Sequence, residues 1–298
     1  MAPLLTYITA SAHDTRYTRI CVASIRRWHP GATVRLLRGG AVDPELVAEL
    51  ARYWDVEVAE WPEGNYGWGF VKLEPLFAPG NQRFLILDSD TVMTGPILDR
   101  LEACGGQFIV DREDQTESGA RQIYWDPDEA AKEGIDLPRL PCYFNTGQWV
   151  GTSGVIDRSE FDPFVDWSMP RRLRYPKVFK NGEQGILNFV VNRRHVAGKL
   201  SLDRIPLMVW PGASAQGRNK GLLEGKLDGQ EGRIVHWAGF KNQRLKKLPG
   251  WALLEHFEKL YYRRIPGGEA LRRRRISAAL WSHRWRALRT KLNRLSPV

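Results

Sequence analysis

The sequence predicts an α/β protein whose first half is Rossmann-like. Three observations carry this. Short apolar runs alternate with amphipathic stretches, the pattern of strands and helices taking turns in a layered sheet. The apolar run FLIL opens directly onto Asp88, as a buried strand does where it reaches a ligand-binding edge. The 298 residues are 43% hydrophobic and 26% charged, which is ordinary globular composition with enough apolar surface for a sizeable core.

Leu4 to Ala10 (LLTYITA) reads as the first strand. In Tyr17 to Trp28, Ile20, Cys21, Ser24 and Ile25 recur at helical spacing, and His29-Pro30-Gly31 stops the helix. Val34 to Leu37 reads as a second strand, about Pro44 to Tyr53 as a helix and Val56 to Trp61 as a third strand. A helix over about Phe70 to Phe77 precedes a fourth strand, Phe84 to Leu87. Beyond Gly105 the alternation fades. Phe108 to Asp111 reads as a strand, whereas Arg112 to Leu140, charged and proline-containing, reads as loops over a surface. Tyr143 to Gly151 (YFNTGQWVG) is strand-like, Glu183 to Val191 helical, and Ile205 to Trp210 strand-like again. A glycine-rich segment, Gly212 to Gly232, leads to a short strand, Arg233 to Trp237. Pro266-Gly267-Gly268 breaks the pattern, dividing the chain into a domain over 1–262 and a tail over 263–298.

Charge follows the same division. From Arg263 onward, eleven Lys and Arg face the single acid Glu269, so the tail alone accounts for the net charge of +10. A basic nucleic-acid-binding body is thereby disfavoured, because its cationic face belongs on the folded domain. The cysteines, Cys21, Cys104 and Cys142, are odd in number and include no C-x-x-C pair. That argues against a disulfide framework or structural zinc and fits a reducing cytoplasm. The sequence from Met1 to Ala12 does not read as a signal peptide, and no window has the length of a spanning helix.

Asp88-Ser89-Asp90 is the first candidate for chemistry. Two carboxylates one residue apart at a strand's carboxyl end can hold a hard divalent cation and leave positions for phosphate oxygens. The alternative is a solvated turn. An Asp-x-Asp triplet arises about once by chance in a chain of this size, and Asp126-Pro127-Asp128 is such a second instance, with Asp128 read as a helix start or cap. His236 in VHWAG is either a ligand or a satisfied structural histidine, with Gly239 permitting close backbone approach. Glu183 and Gln184 open a helix, where acids are also favoured by the helix dipole. Asn145, in Phe144-Asn145-Thr146-Gly147, is equally compatible with turn chemistry. The twelve tryptophans are assigned mainly to the core and none to the site.

Taken in order, TYITAS, FLILDSDTVMTGPILDRL, YFNTGQWV, GEQGILN and HWAG resemble glycosyltransferase family 8 over about residues 4 to 242. These are retaining enzymes of the GT-A fold that include glycogenin and bacterial lipooligosaccharide galactosyltransferases. The resemblance implies a metal-dependent hexosyltransferase using a nucleotide sugar, in first place a UDP-sugar, with Mn2+ or Mg2+ held by Asp88, Asp90 and His236. It places Ser89 at the ribose, and Thr9, Ala10 and Tyr17 near the base. Asn145, Glu183 and Gln184 fall on the sugar and acceptor side, and Gly239 and Lys241 near the diphosphate. An amide is a poor nucleophile, so the role expected of Gln184 is to stabilise an oxocarbenium-like state. Two departures stand out. Glu183 occupies a position where the family more often has Asp, and the lysine expected six residues after the histidine is replaced by Asn242, with Lys241 one step early. Lys72 is a second candidate for the diphosphate, set against a helix lysine that snorkels to solvent.

The tail has its own pattern. Trp281, Trp285, Leu288, Leu292 and Leu295 span only about 80° of a helix, with Arg284, Arg286, Arg289, Lys291 and Arg294 on the remainder. Together with Arg272 to Arg275, this describes a helix lying in an anionic membrane interface. Docking on the body and contact with nucleic acid are the alternatives. The expectation is a cytoplasmic enzyme, peripheral on the inner face of a membrane, acting on a glycan or lipid-linked acceptor. A catalytically inactive nucleotide-sugar-binding or scaffold protein is the competing class.

Overall fold

The computed structural model describes residues 3–281 apart from 63, 114, 140, 213–218, 228–230, 241, 242 and 280. The first half runs β1 (Leu5–Ala10), α1 (Thr15–Trp28), β2 (Val34–Arg38), α2 (Pro44–Trp54) and β3 (Val56–Val58). A 3₁₀ turn (Phe70–Leu73), α3 (Glu74–Phe77), β4 (Arg83–Asp88), β5 (Thr91–Met93), α4 (Leu98–Ala103) and β6 (Phe108–Asp111) follow. The second half contributes α5 (Glu117–Ile123), α6 (Pro127–Lys132), β7 (Gln148–Thr152), β8 (Val165–Asp166), β9 (Arg172–Leu173) and α7 (Glu183–Val196). It closes with β10 (Leu202–Ile205), β11 (Met208–Val209), α8 (Lys220–Leu223), β12 (Ile234–His236), α9 (Trp251–Arg263) and a helix over 268–279.

Among the described residues the main sheet has the order β10-β6-β7-β4-β1-β2-β3. β1 pairs in parallel with β2 and β4, while β7 runs antiparallel to both β4 and β6. Both faces are covered, which is why the fourth strand reads as an unbroken apolar run. Leu85 and Leu87 point into one core with Ile20, Ile25 and Phe257, and Phe84 and Ile86 into another with Trp149, Phe179 and Phe189. A smaller sheet, β11-β12-β5, sits beside the carboxyl end of β4, and its antiparallel β12–β5 ladder pairs His236 with Thr91.

Several expected elements are corrected. The helix expected over 70–77 is divided into a 3₁₀ turn and the four-residue α3, with Pro75 at its start lacking an amide donor. The stretch expected to be loops holds α5 and α6, each capped by a side chain: Thr116 accepts from Gly119 N, and Asp126 from Asp128 N and Glu129 N. The cap is therefore Asp126, and Asp128 stands in the first turn that it caps, as a helix start. Ile205 to Trp210 splits at Pro206 into strands of two different sheets, β10 and β11. Residues 143–147 are not strand, because the Asn188 side chain takes the Phe144 N–H at 3.0 Å and donates to its carbonyl at 2.9 Å.

The beginning of the tail lies against the body. On the helix over 268–279, Arg272 is 8% exposed and bonds Glu258 at 3.0 Å. Arg275 pairs with Glu49 and, at 2.9 Å, with Glu45. Arg273 and Arg274 face solvent. The amphipathic stretch read through Trp285 to Leu295 lies outside the described residues. No helix among the described residues is long and apolar enough to cross a membrane.

Candidate metal centre and substrate cleft

Parallel pairing of β1 with β4 brings Thr9 beside Asp88, and the Thr9 hydroxyl donates to an Asp88 carboxylate oxygen at 3.0 Å. The Asp88 amide donates to the Gly147 carbonyl at 2.7 Å, so β7 fixes the turn from its other side. The chain then bends into β5, and Trp237 N–H donates to the Asp90 carbonyl at 3.0 Å. This ladder places the His236 ring over the two aspartates: Nε2 lies 3.4 Å from Asp90 and 3.9 Å from Asp88. The ring is 2% exposed and stacked on Trp210, with centroids 5.3 Å apart. A Cβ on Gly147 would lie 2.2 Å from the histidine's Cε1, so only glycine admits the ring here.

Ligand atoms of Asp88, Asp90 and His236 all fall within 4.8 Å of one another. Two carboxylates and an imidazole nitrogen facing them are a donor set suited to a divalent cation, which offsets the repulsion of two neighbouring negative charges. The residues fit such an ion.

These side chains line a cleft of about 560 Å³, together with Asn145, Glu183, Gln184 and Gly239. Ala10, Tyr17 and Ser89 are buried nearby, at 3%, 5% and 1% exposure, and do not line it. Lys241 lies outside the described residues. Lys72 is the clearest correction. It does not snorkel to solvent: it is 6% exposed, with Nζ 2.9 Å from Asp88, 2.7 Å from Glu183 and 3.2 Å from the Thr146 carbonyl. Burial disfavours its charge, but the two carboxylates outweigh that and raise its pKa above that of an ordinary lysine. Burial likewise pushes the Glu183 carboxyl upward, with Lys72 opposing.

Glu183 and Gln184 begin α7. The Gln184 side-chain oxygen accepts from Asn145 Nδ2 at 3.2 Å and Thr146 N at 3.3 Å, and Glu183 accepts from the Thr146 hydroxyl at 2.9 Å. One turn further, Asn188 holds Phe144, and Asn192 holds Cys142 through its N–H at 2.7 Å and its carbonyl at 3.1 Å. Gln184, Asn188 and Asn192 thus form one stripe of α7 that replaces a neighbouring strand for residues 142–146. Three more cleft residues were not singled out from sequence. Glu113 is held by Tyr124 at 2.5 Å and Gln115 at 2.6 Å, its carboxyl pushed upward by burial. Trp68 and Trp210 also line the cleft, contrary to the assignment of tryptophans away from the site.

No protein-family model matches the chain, and no curated protein matches it. Solved structures do match its fold. The apo WbbM bifunctional glycosyltransferase superposes with a TM-score of 0.57 at 14% identity, over 88% of this chain and 51% of that one. This chain therefore spans about half the length of WbbM. The galactosyltransferase LgtC, in complex with donor and acceptor sugar analogs, gives 0.56 at 14% identity over 87% and 95% of the two chains. Apo GlyE from Streptococcus pneumoniae TIGR4 gives 0.50 at 15% identity, over 93% and 64%. The chain has the α/β, GT-A-like fold of these glycosyltransferases.

Proposed function

We propose that this protein is a metal-dependent glycosyltransferase of the family 8 type, moving a hexose from a nucleotide sugar, in first place a UDP-sugar, to a glycan or lipid-linked acceptor with retention. The observation that carries this reading is the convergence of Asp88, Asp90 and His236 at the carboxyl end of the central strand, in a fold shared with glycosyltransferases. Mn2+ suits the imidazole in this set better than Mg2+. A bound dication supplies the positive charge that a leaving nucleoside diphosphate requires.

The remaining work falls to the chain's own side chains. Thr9 and Lys72 fix the rotamer of Asp88 from two sides. Lys72 also keeps a positive charge at the inner wall of the cleft, where it strengthens binding of an anionic donor. Gln184, its carbonyl oriented by Asn145 and Thr146, presents a fixed dipole to a sugar carbon that gains positive character. Glu183, Asn145 and Gly239 complete the walls around the sugar and diphosphate.

Asp88→Asn and Asp90→Asn are expected to abolish transfer from a UDP-hexose panel, as is EDTA, with activity restored by Mn2+. Full transfer by both variants after chelation overturns the reading. For location, we propose a peripheral protein on the inner face of a cytoplasmic membrane, supported by the exposed Arg273 and Arg274 and by Trp281 at 61% exposure. Removal of residues 282–298 is expected to abolish binding to phosphatidylserine vesicles. Unchanged binding refutes that placement.

A further inference from the structure

We infer that Trp68 is the platform on which a pyranose ring of the acceptor stacks, which makes the acceptor a sugar rather than a bare lipid phosphate or a protein side chain. The inference rests on the glycosyltransferase reading above. Trp68 is 70% exposed, whereas Trp54, Trp125, Trp149 and Trp237 are no more than 4% exposed. A large apolar face left in water inside a polar cleft is the unusual arrangement for this residue.

The exposure is built in by the backbone. Gly67 and Gly69 flank Trp68 with φ of +72° and +78°. A Cβ at Gly67 would lie 2.3 Å from the Arg171 carbonyl, and one at Gly69 would lie 1.6 Å from a Glu183 carboxylate oxygen. Across the cleft wall, a Cβ on Gly182 would sit 2.4 Å from the Trp68 carbonyl. Three glycines thus bring the Trp68 backbone against the start of α7 and hold the indole at the rim, next to Glu183 and Gln184.

Burial assigns the two substrates to different depths. The polar groups of the floor, Asp90, His236, Glu183, Gln184 and Asn145, are 2–9% exposed, and on the glycosyltransferase reading they meet the donor, the substrate that carries the charge. Trp68 stands outside them at 70% exposure, on the part of the cleft left for the acceptor. An indole face complements the C–H face of a pyranose, and removing a rim aromatic of this kind costs about tenfold in affinity, or about 1.4 kcal/mol.

The test is saturation-transfer NMR on the full chain with UDP and Mn2+ present, using methyl β-galactoside, methyl α-glucoside, methyl N-acetyl-β-glucosaminide, lactose and maltose as probes. At least one saccharide is expected to bind, with transfer strongest on the C–H protons of one ring face. Trp68→Ala is expected to weaken its Kd about tenfold, Trp68→Phe to retain most of the affinity, and both to bind UDP as the wild type does. Trp251→Ala, which alters a half-exposed tryptophan that does not line the cleft, is expected to change nothing. Wild-type saccharide affinity in Trp68→Ala overturns the proposal. So does UDP binding with no saccharide binding, which leaves the glycosyltransferase reading standing. Failure of the wild type to bind UDP overturns that reading and the proposal with it.

Discussion

Replacing Lys72 with methionine keeps the hydrophobic stem and removes a charge that two carboxylates share. Nζ lies 2.9 Å from Asp88 and 2.7 Å from Glu183, and the three side chains are 8%, 20% and 2% exposed. The loss concentrates at Glu183, because Asp88 still sees solvent and is partly screened. Stranding one member of a buried pair costs about 3–5 kcal/mol, which for a chain of this size lowers the melting temperature by roughly 5–8 °C. The double substitution Lys72→Met with Glu183→Gln removes the stranded charge and is expected to recover most of that loss. Thermal melts followed by circular dichroism at neutral pH measure both. The pH dependence has a definite sign. Without Lys72 the Glu183 carboxyl, already raised by burial, rises further. The deficit is then largest well above the carboxylate range and shrinks as the pH falls into it, since a protonated Glu183 needs no counter-ion. If Lys72→Met melts with the wild type, or the double variant melts no higher than the single one, the buried ion-pair account is wrong.

Gly69→Ala combines a left-handed φ of +78° with a Cβ 1.6 Å from the Glu183 carboxylate, so it is expected to lose about 2–5 kcal/mol in urea unfolding. Glu49 is buried, and burial alone would raise its pKa, but Arg275 and Arg19 overcome this and hold the carboxyl below its ordinary range. Its contribution is therefore full above that range and lost as the pH falls through the depressed value, and Glu49→Gln should flatten the acid limb of a stability–pH profile. The Cys21 thiol is fully enclosed and pushed up to about 12 by burial, so maleimide should label Cys104 and Cys142 while sparing Cys21 until the protein unfolds.

Much of the sheet was legible because its strands carry period and punctuation: β2 and β6 appear almost as read, and Asp88 stands where FLIL ends. The aspartates could be ranked above the second Asp-x-Asp triplet because context differed, an apolar strand in one case and a proline-led helix in the other. Other features resist local reading. Lys72 has the spacing of an ordinary helix lysine, and its burial follows from carboxylates sixteen and more residues away that only the fold brings near. Trp68 is hidden among many aromatics because side-chain identity says nothing of exposure. Its two flanking glycines were the available signal. The stripe Gln184, Asn188 and Asn192 was also visible as polar residues every four positions in a buried helix, a spacing that marks them as partners for a backbone lacking a strand.

The β12–β5 ladder has a consequence for the order in which the protein is made. Asp88 and Asp90 leave the ribosome with the first third of the chain, yet His236, the histidine that faces them, lies on the three-residue strand β12, made much later. Any nascent chain that stops before Ile234 can pair β1 with β2 and β4 and still present only two of the three donors. Closing that long loop is among the slower steps open to the chain. The three candidate donors therefore come together only late in biosynthesis, once β12 has been made and has paired with β5.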